Sequence, residues 1–348
     1  AKLLKELEEA GLAEDTIVFF YADHGTGMPR SKRWPYDSGL RVPFIVYFPK
    51  KWEHLAPKEY KSGGVSQRLI SFIDLAPTLL SLAGVKPPDY FHGLAFAGPH
   101  AVEDDGYAFG FRGRMDERYD CVRSVTNGRY IYIRQYMPHL PYGQHVNYMF
   151  EQATTRVWFD LHQQGRLNTV QDAFWQEKPV EELYDLEKDP YVTVNLAGSM
   201  EAEHQRARKD LSAALSGWML KTRDLGMVPE AERMAVAAGK SPADVFAGKD
   251  SLPMEEVLKA AQLSSDRDTA SVDALKPLLA SANAEVRYWG ALGVVARGAK
   301  GTGAAHPALV TLLADASPSV RVAAAEALAR NGAAEEQTKA WEVLLVSA

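Results

Sequence analysis

The chain has 348 residues, too many for one small domain and suited to two or three. Its formal net charge of -6, with 46% hydrophobic and 24% charged residues, is ordinary for a globular protein and leaves no basic excess to neutralise the phosphates of a nucleic acid. The single cysteine, Cys121, excludes a disulfide within the chain and a cysteine-rich metal site.

From the amino end, Leu3, Leu4 and Leu7 recur at helical spacing, and Gly11 stands where a helix would be capped. The chain opens inside this amphipathic pattern, which reads as a truncated start, so the lack of a leader peptide says nothing about localisation. Residues 16–21 are rich in β-branched and aromatic side chains, like a strand buried on both faces. Asp23-His24-Gly25 follows at the carboxyl end of that strand, where open α/β sheets gather their ligands. A polar loop leads to a second apolar strand over 42–48. Next comes a helix for which Asp74 suits the N-cap, Pro77 the first turn and Gly84 the end.

The architecture changes near Asp104. In "CVRSVTNGRYIYIRQY" an Asn127-Gly128 turn joins two strands, the strongest short-range signal for a hairpin. "EELYDLEKDPYVTVNLAG" adds a short strand and an Asp189-Pro190 turn. A helix over about 201–223 then carries Leu211, Leu215 and Trp218 on one face. Residues 226–268 read as a helical linker. From Ala274, "ALKPLLASANAEVRYWGALGVVARG" aligns without a gap to "ALVTLLADASPSVRVAAAEALARNG" from Ala308, an offset of 34 residues. Leu275, Leu278, Leu279, Val286 and Arg287 match Leu309, Leu312, Leu313, Val320 and Arg321. Two helices per repeat describe a HEAT-like α-solenoid over 269–348, a surface suited to a protein partner. No run of about 18 apolar residues appears, so no membrane-spanning helix is expected.

The loop after the first strand carries the chemistry. Asp23 and His24 supply lone pairs suited to a divalent cation, and the carboxylate also offsets its charge. Lys32, protonated, cannot be a ligand but can hold an anion beside the metal. Metal plus ammonium is what stabilises charge on a transferring sulfuryl or phosphoryl group and its leaving oxygen. The plain alternative is a turn, with Asp23 as cap and Gly25 supplying a positive φ.

The segment resembles the sulfatase family of the alkaline-phosphatase superfamily. In that family a strand ends in Asp-Asn-Gly or Asp-His-Gly, and a loop carries Lys-x-x-x-aromatic-acidic-x-Gly-x-Arg-x-Pro. Here that element runs from Lys32 through Tyr36, Asp37, Gly39 and Arg41 to Pro43. "IDLAPTLLSLAGV", "RMDERYDCVRSVTNGRYIYIRQYMP" and "ELYDLEKDP...NLA" follow in the family's order, so the resemblance covers about residues 1 to 224.

The resemblance implies an α/β fold: the C-terminal part of a sulfatase/alkaline-phosphatase-like α/β sandwich over 1–103, and a small antiparallel-sheet subdomain over 104–225. The α-helical HEAT-like region would then follow the linker. It implies a hydrolase of sulfuric esters, acting on sulfated carbohydrate in the periplasm or outside the cell. Asp23 and His24 become metal ligands, and Lys32 a catalytic sulfate contact that steadies the leaving oxygen. Calcium is the metal implied, with manganese the alternative, because an imidazole ligand tilts toward a transition metal.

The family's formylglycine arises from Cys or Ser in Cys/Ser-x-Pro-x-Arg. Cys121, in "DCVRSV", lacks that proline and reads as a small buried residue, so the nucleophile is expected upstream of this chain. Arg112, Arg114 and Asp116 are candidates to reach a sulfated sugar, as are His139 and His145 among aromatic residues. Trp34 and Tyr36 are either packing or a sugar platform. Two other readings stay open: a phosphodiesterase or phosphonate hydrolase of the same superfamily, and a non-catalytic sulfatase-like scaffold presenting a HEAT-like binding surface.

Overall fold

The structure is a computed structural model that describes residues 2–246, 248, 252–267 and 271–347. The expected junction between linker and repeats, at Asp268 and Thr269, lies outside the described residues, as do the chain ends Ala1 and Ala348. In chain order the elements are α1 (Lys2–Glu9), β1 (Val18–Tyr21), α2 (Asp37–Leu40), β2 (Phe44–Tyr47), α3 (Leu75–Leu82), β3 (Ala108–Arg112), β4 (Val122–Thr126) and β5 (Tyr130–Gln135). Then come α4 (Asn147–Phe150), α5 (Ala153–Gln163), α6 (Thr169–Asp172), β6 (Glu181–Asp185) and α7 (Ala202–Lys221). The rest is helical: α8 (Glu230–Ala237), α9 (Pro242–Val245), α10 (Met254–Ser265), α11 (Lys276–Leu279), α12 (Ala284–Val295), α13 (Gly298–Leu312), α14 (Pro318–Asn331) and α15 (Ala334–Ser347).

The fold is therefore mixed α/β with a helical C-terminal region. Strands β3-β4-β5-β6 form one sheet in that order, and β1 pairs with β2 in another. None of the described helices is long and apolar enough to cross a membrane. By packing, the chain divides into two compact units: residues 1–110, 124–132 and 183–212, and residues 111–123, 133–182 and 213–348.

In the first unit β1 and β2 run antiparallel, with Phe19 opposite Val46 and Phe20 opposite Ile45. Phe19, Phe44 and Val46 face inward onto Phe48, Phe96 and Ala97. Phe20 and Ile45, on the other face, are 62% and 60% exposed. The expectation of a strand buried on both faces is thus corrected, because an unbroken apolar run does not reveal which of its two alternating faces is covered. Asp74 also differs from expectation. Ser71 is the N-cap of a one-turn 3₁₀ segment, 72–74, leading into α3, and Asp74 closes its capping box by accepting from the Ser71 amide. The other Asp74 oxygen accepts from the Leu94 amide at 2.7 Å, so this carboxylate ties a distant loop to the helix start. Gly11 and Gly84, at φ +71° and +75°, end their helices as expected.

The hairpin β4–β5 turns at Asn127-Gly128, with Gly128 at φ +91° and Asn127 Oδ1 accepting from the Tyr130 amide at 2.8 Å. Strand β3, with Phe109 and Phe111 alternating along it, extends that sheet beside β4. On α7 the buried ridge is Leu211, Leu215 and Met219, spaced four apart, and Trp218 lies only half-buried beside it.

In the second unit the repeats share a core of Leu275, Leu279, Leu309, Leu312, Val320 and Leu328, among others. The two copies share their helix caps and their arginine–carbonyl bonds. Asn283 Oδ1 accepts from the Val286 amide and Ser317 Oγ from the Val320 amide, capping α12 and α14. Arg287 donates to the carbonyls of Ser281 and Ala282, and Arg321 to those of Asp315 and Ala316. Arg287 also grips the Asp315 carboxylate with two bonds, at 2.7 and 2.8 Å. Trp289, fully buried, donates from Nε1 to the Met227 carbonyl at 2.9 Å and stands edge-on to Tyr136, the residue after β5.

Candidate functional site

Asp23 lies just past β1, and its carboxylate is 85% exposed. His24 Nε2 stands 3.5 Å from Asp23 Oδ2, while Nδ1 lies 2.6 Å from the Gly25 carbonyl oxygen. A carbonyl can only accept, so Nδ1 is the donor in that contact, and Nε2, on the Asp23 side, is the ring nitrogen left to face a cation. Carboxylate and Nε2 together are two donors suited to a divalent cation. Among the described residues no group of three or more His, Cys, Asp or Glu side chains assembles a metal site. The pair therefore fits part of a coordination shell; calcium takes about six to eight oxygen ligands.

Close backbone contact holds the loop after Asp23 in place. The Gly25 amide donates to the Gly39 carbonyl at 3.0 Å. A Cβ on Gly25 would lie 2.0 Å from the Ser38 oxygen, and one on Gly39 2.2 and 2.3 Å from the Trp34 and Ser31 oxygens. Only glycine permits this approach, which folds the short helix α2 back onto the Asp-His-Gly turn. Ser31 Oγ donates to the Ser38 carbonyl at 2.5 Å, and the Lys32 amide donates to the Thr26 carbonyl at 3.1 Å. The half-buried Lys32 thus shares one closed loop with Asp23 and His24. Burial raises the Asp37 carboxyl above its usual range, partly offset by Arg41.

Trp34 and Tyr36 are 4% and 3% exposed, so both are packing residues. Arg30, which the sequence does not single out, donates from Nη1 to the Tyr191 carbonyl at 3.0 Å and from Nη2 to the Val192 carbonyl at 2.5 Å. Its Cζ lies 4.7 Å from the centre of the Tyr36 ring.

The remaining candidates belong to the second unit. Arg114 grips Glu230 with two bonds, at 2.6 and 2.9 Å, from the exposed surface. Arg112 is fully buried near Asp120, whose carboxylate also receives the buried Lys178 ammonium at 2.6 and 2.7 Å. Burial, and then Lys178, lower the His139 imidazole to about 4. His145 is exposed, with its ring 4.2 Å from that of Phe150. Cys121 is buried, with Sγ 3.8 Å from Met227 Sδ, and burial pushes its thiol up to about 11, as suits a packing residue.

Comparison with known proteins adds to this geometry. Residues 1–85 match the family model described as Sulfatase, and residues 307–330 match that for the HEAT repeat. An ulvan-active sulfatase of Formosa agariphila is 38% identical over 231 residues, 66% of this chain and 37% of that protein. An arylsulfatase of Clostridium perfringens is 27% identical over 224 residues, 62% of this chain and 37% of its own length. A solved structure described as a complex with its substrate D-glucosamine-2-N,6-O-disulfate superposes with a TM-score of 0.45 at 19% identity, over 66% of this chain and 39% of the other. The chain spans well under half the length of these relatives.

Proposed function

With residues 1–85 a sulfatase-family segment and residues 307–330 a HEAT repeat, we propose that this chain is the C-terminal part of a sulfuric-ester hydrolase acting on sulfated carbohydrate. The observation that carries the reading is the closed loop in which Asp23, His24 and Lys32 stand together, locked by the Gly25–Gly39 contact. Relatives named as ulvan-active sulfatases make ulvan the first polysaccharide to test.

In this reading Asp23 and His24 Nε2 are two donors to a divalent cation, calcium first and manganese as the alternative. When bound, the cation supplies Lewis-acid stabilisation of a sulfate oxygen. Lys32 places its ammonium where negative charge builds on the sulfate and the departing sugar oxygen, which lowers the barrier without covalent chemistry. No Cys/Ser-x-Pro-x-Arg stands within these residues, so in this reading the formylglycine nucleophile is not one of them. Arg114, His139 and His145 enter only as separate candidates for glycan contact. The HEAT-like array is proposed as a surface for a protein partner, and the enzyme as periplasmic or secreted.

The test uses the full-length protein, with bound metal measured by elemental analysis beside rates on an aryl sulfate and on ulvan. Lys32→Ala should leave metal content near normal while kcat falls by roughly two to three orders of magnitude. Asp23→Ala should lower metal content and activity together. Loss of metal from the Lys32 variant, or unchanged kcat in it, would refute the assignment.

A further inference from the structure

We propose that Arg30 is the positioning residue of the Lys32 loop: its guanidinium ties that loop to the rigid turn at residues 189–192 and so sets where the Lys32 ammonium stands. The inference rests on the reading of Lys32 as the sulfate contact.

The tie is two-pronged. Nη1 and Nη2 donate to the adjacent carbonyls of Tyr191 and Val192, joining segments 161 and 162 residues apart in sequence. A planar fork of donors can hold two neighbouring acceptors at once, which a lysine ammonium cannot do with the same direction. The guanidinium also lies over the ring of Tyr36, and that buried ring stands edge-on to Tyr184 of β6, at 6.3 Å. Arg30 is therefore held from both sides, two residues before Lys32.

The acceptors are held as firmly. Asp189 Oδ2 accepts from the amides of Thr193 at 2.6 Å and Val194 at 2.8 Å. Asn195 Oδ1 accepts from the Leu183 amide at 3.0 Å, fastening the turn to β6. Val192 is buried and sits at φ +49°, a conformation that a β-branched residue adopts only under constraint. The loop itself is constrained on both sides of Lys32, with Arg30 at φ +65° and Arg33 at φ +84°. Such backbones persist only where surrounding contacts over-determine them, and they gather at sites where geometry matters. Released from Tyr191 and Val192, the loop can relax toward ordinary dihedrals and carry the ammonium with it. A misplacement of about 1 Å is enough to cost about a hundredfold in rate. This also gives a physical reason for the "EKDPYVTVNLAG" stretch to accompany the lysine loop: its turn presents the two carbonyls.

Arg30→Met, Arg30→Lys and Lys32→Ala are compared in the full-length protein on an aryl sulfate, with kcat, KM, bound metal and Tm measured. Arg30→Met should lower kcat about ten- to a hundredfold with KM changed less than about threefold, because the effect is on the transition state. Metal content and Tm should stay near those of the parent, and Arg30→Lys, able to reach one carbonyl, should fall between. An unchanged kcat in Arg30→Met beside a large loss in Lys32→Ala would overturn the positioning role and leave the reading of Lys32 standing. A loss that merely tracks a lower folded fraction, with no recovery in Arg30→Lys, would also overturn it. Unchanged kcat in Lys32→Ala would instead overturn the reading on which the inference rests.

Discussion

Trp289, on α12 of the helical repeats, packs against Tyr136, the residue after β5, so its removal should loosen both segments together. The side chain is fully buried, its indole donates to the Met227 carbonyl at 2.9 Å, and its ring meets Tyr136 at 6.1 Å and Tyr288 at 5.6 Å. Truncation to alanine removes a large buried ring at a cost of about 3–5 kcal/mol. That figure includes lost edge-to-face contacts of about 0.5–1.5 kcal/mol each and an orphaned carbonyl worth about 1 kcal/mol. Trp289→Phe keeps most of the ring and should cost about 1–2 kcal/mol, chiefly the hydrogen bond and some packing. Against a typical domain stability of about 5–15 kcal/mol, the alanine variant stands close to unfolding. Urea titrations of the 348-residue chain, followed by far-UV circular dichroism and by near-UV signals from the tyrosine-rich sheet, would measure both losses. A single shifted transition in both signals is expected. A variant in which the helical signal melts early while the sheet signal keeps its midpoint would show that the Trp289 contacts carry no coupling, and the reasoning would fail.

Two further outcomes follow from buried charge. Burial opposes the charge on Asp315, but the Arg287 hydrogen bonds and the Ser317 amide prevail and hold its carboxyl below the usual range. A lowered folded pKa means that this contribution is complete above the ordinary carboxylate pKa and lost as pH falls through the folded value. Asp315→Asn should therefore cost about 2 kcal/mol near neutral pH and remove part of the acid sensitivity below about pH 4, read as Tm against pH; parallel curves would contradict it. His139 shifts in the same sense for a different reason: its half-buried neutral ring resists protonation down to about 4. The unfolded chain takes up that proton near pH 6.5, so stability should fall between about pH 6.5 and 4 by about 1–3 kcal/mol. His139→Phe should flatten that slope, and an unchanged slope would mean that the ring is hydrated in solution.

Much of this molecule was legible in the chain because the deciding contacts are local or periodic. The Asn127-Gly128 hairpin, the glycines that end α1 and α3, and the 34-residue offset that places Arg287 and Arg321 in equivalent roles each depend on neighbours a few residues away or one repeat apart. The grouping of Asp23, His24 and Lys32 was legible for the same reason, since one short loop holds all three. What the tertiary structure alone decided are pairings across long stretches of chain. These include the face of β1 left open to solvent, the burial of Trp34 and Tyr36, the commitment of Arg114 to Glu230, and the grip of Arg30 on Tyr191 and Val192. Periodicity states that a residue has a side and a loop has a charge. Which partner meets that side or that charge depends on chain closure from the tens of residues that separate Phe19 from Phe96 to the 162 between Arg30 and Val192, and no local propensity encodes it.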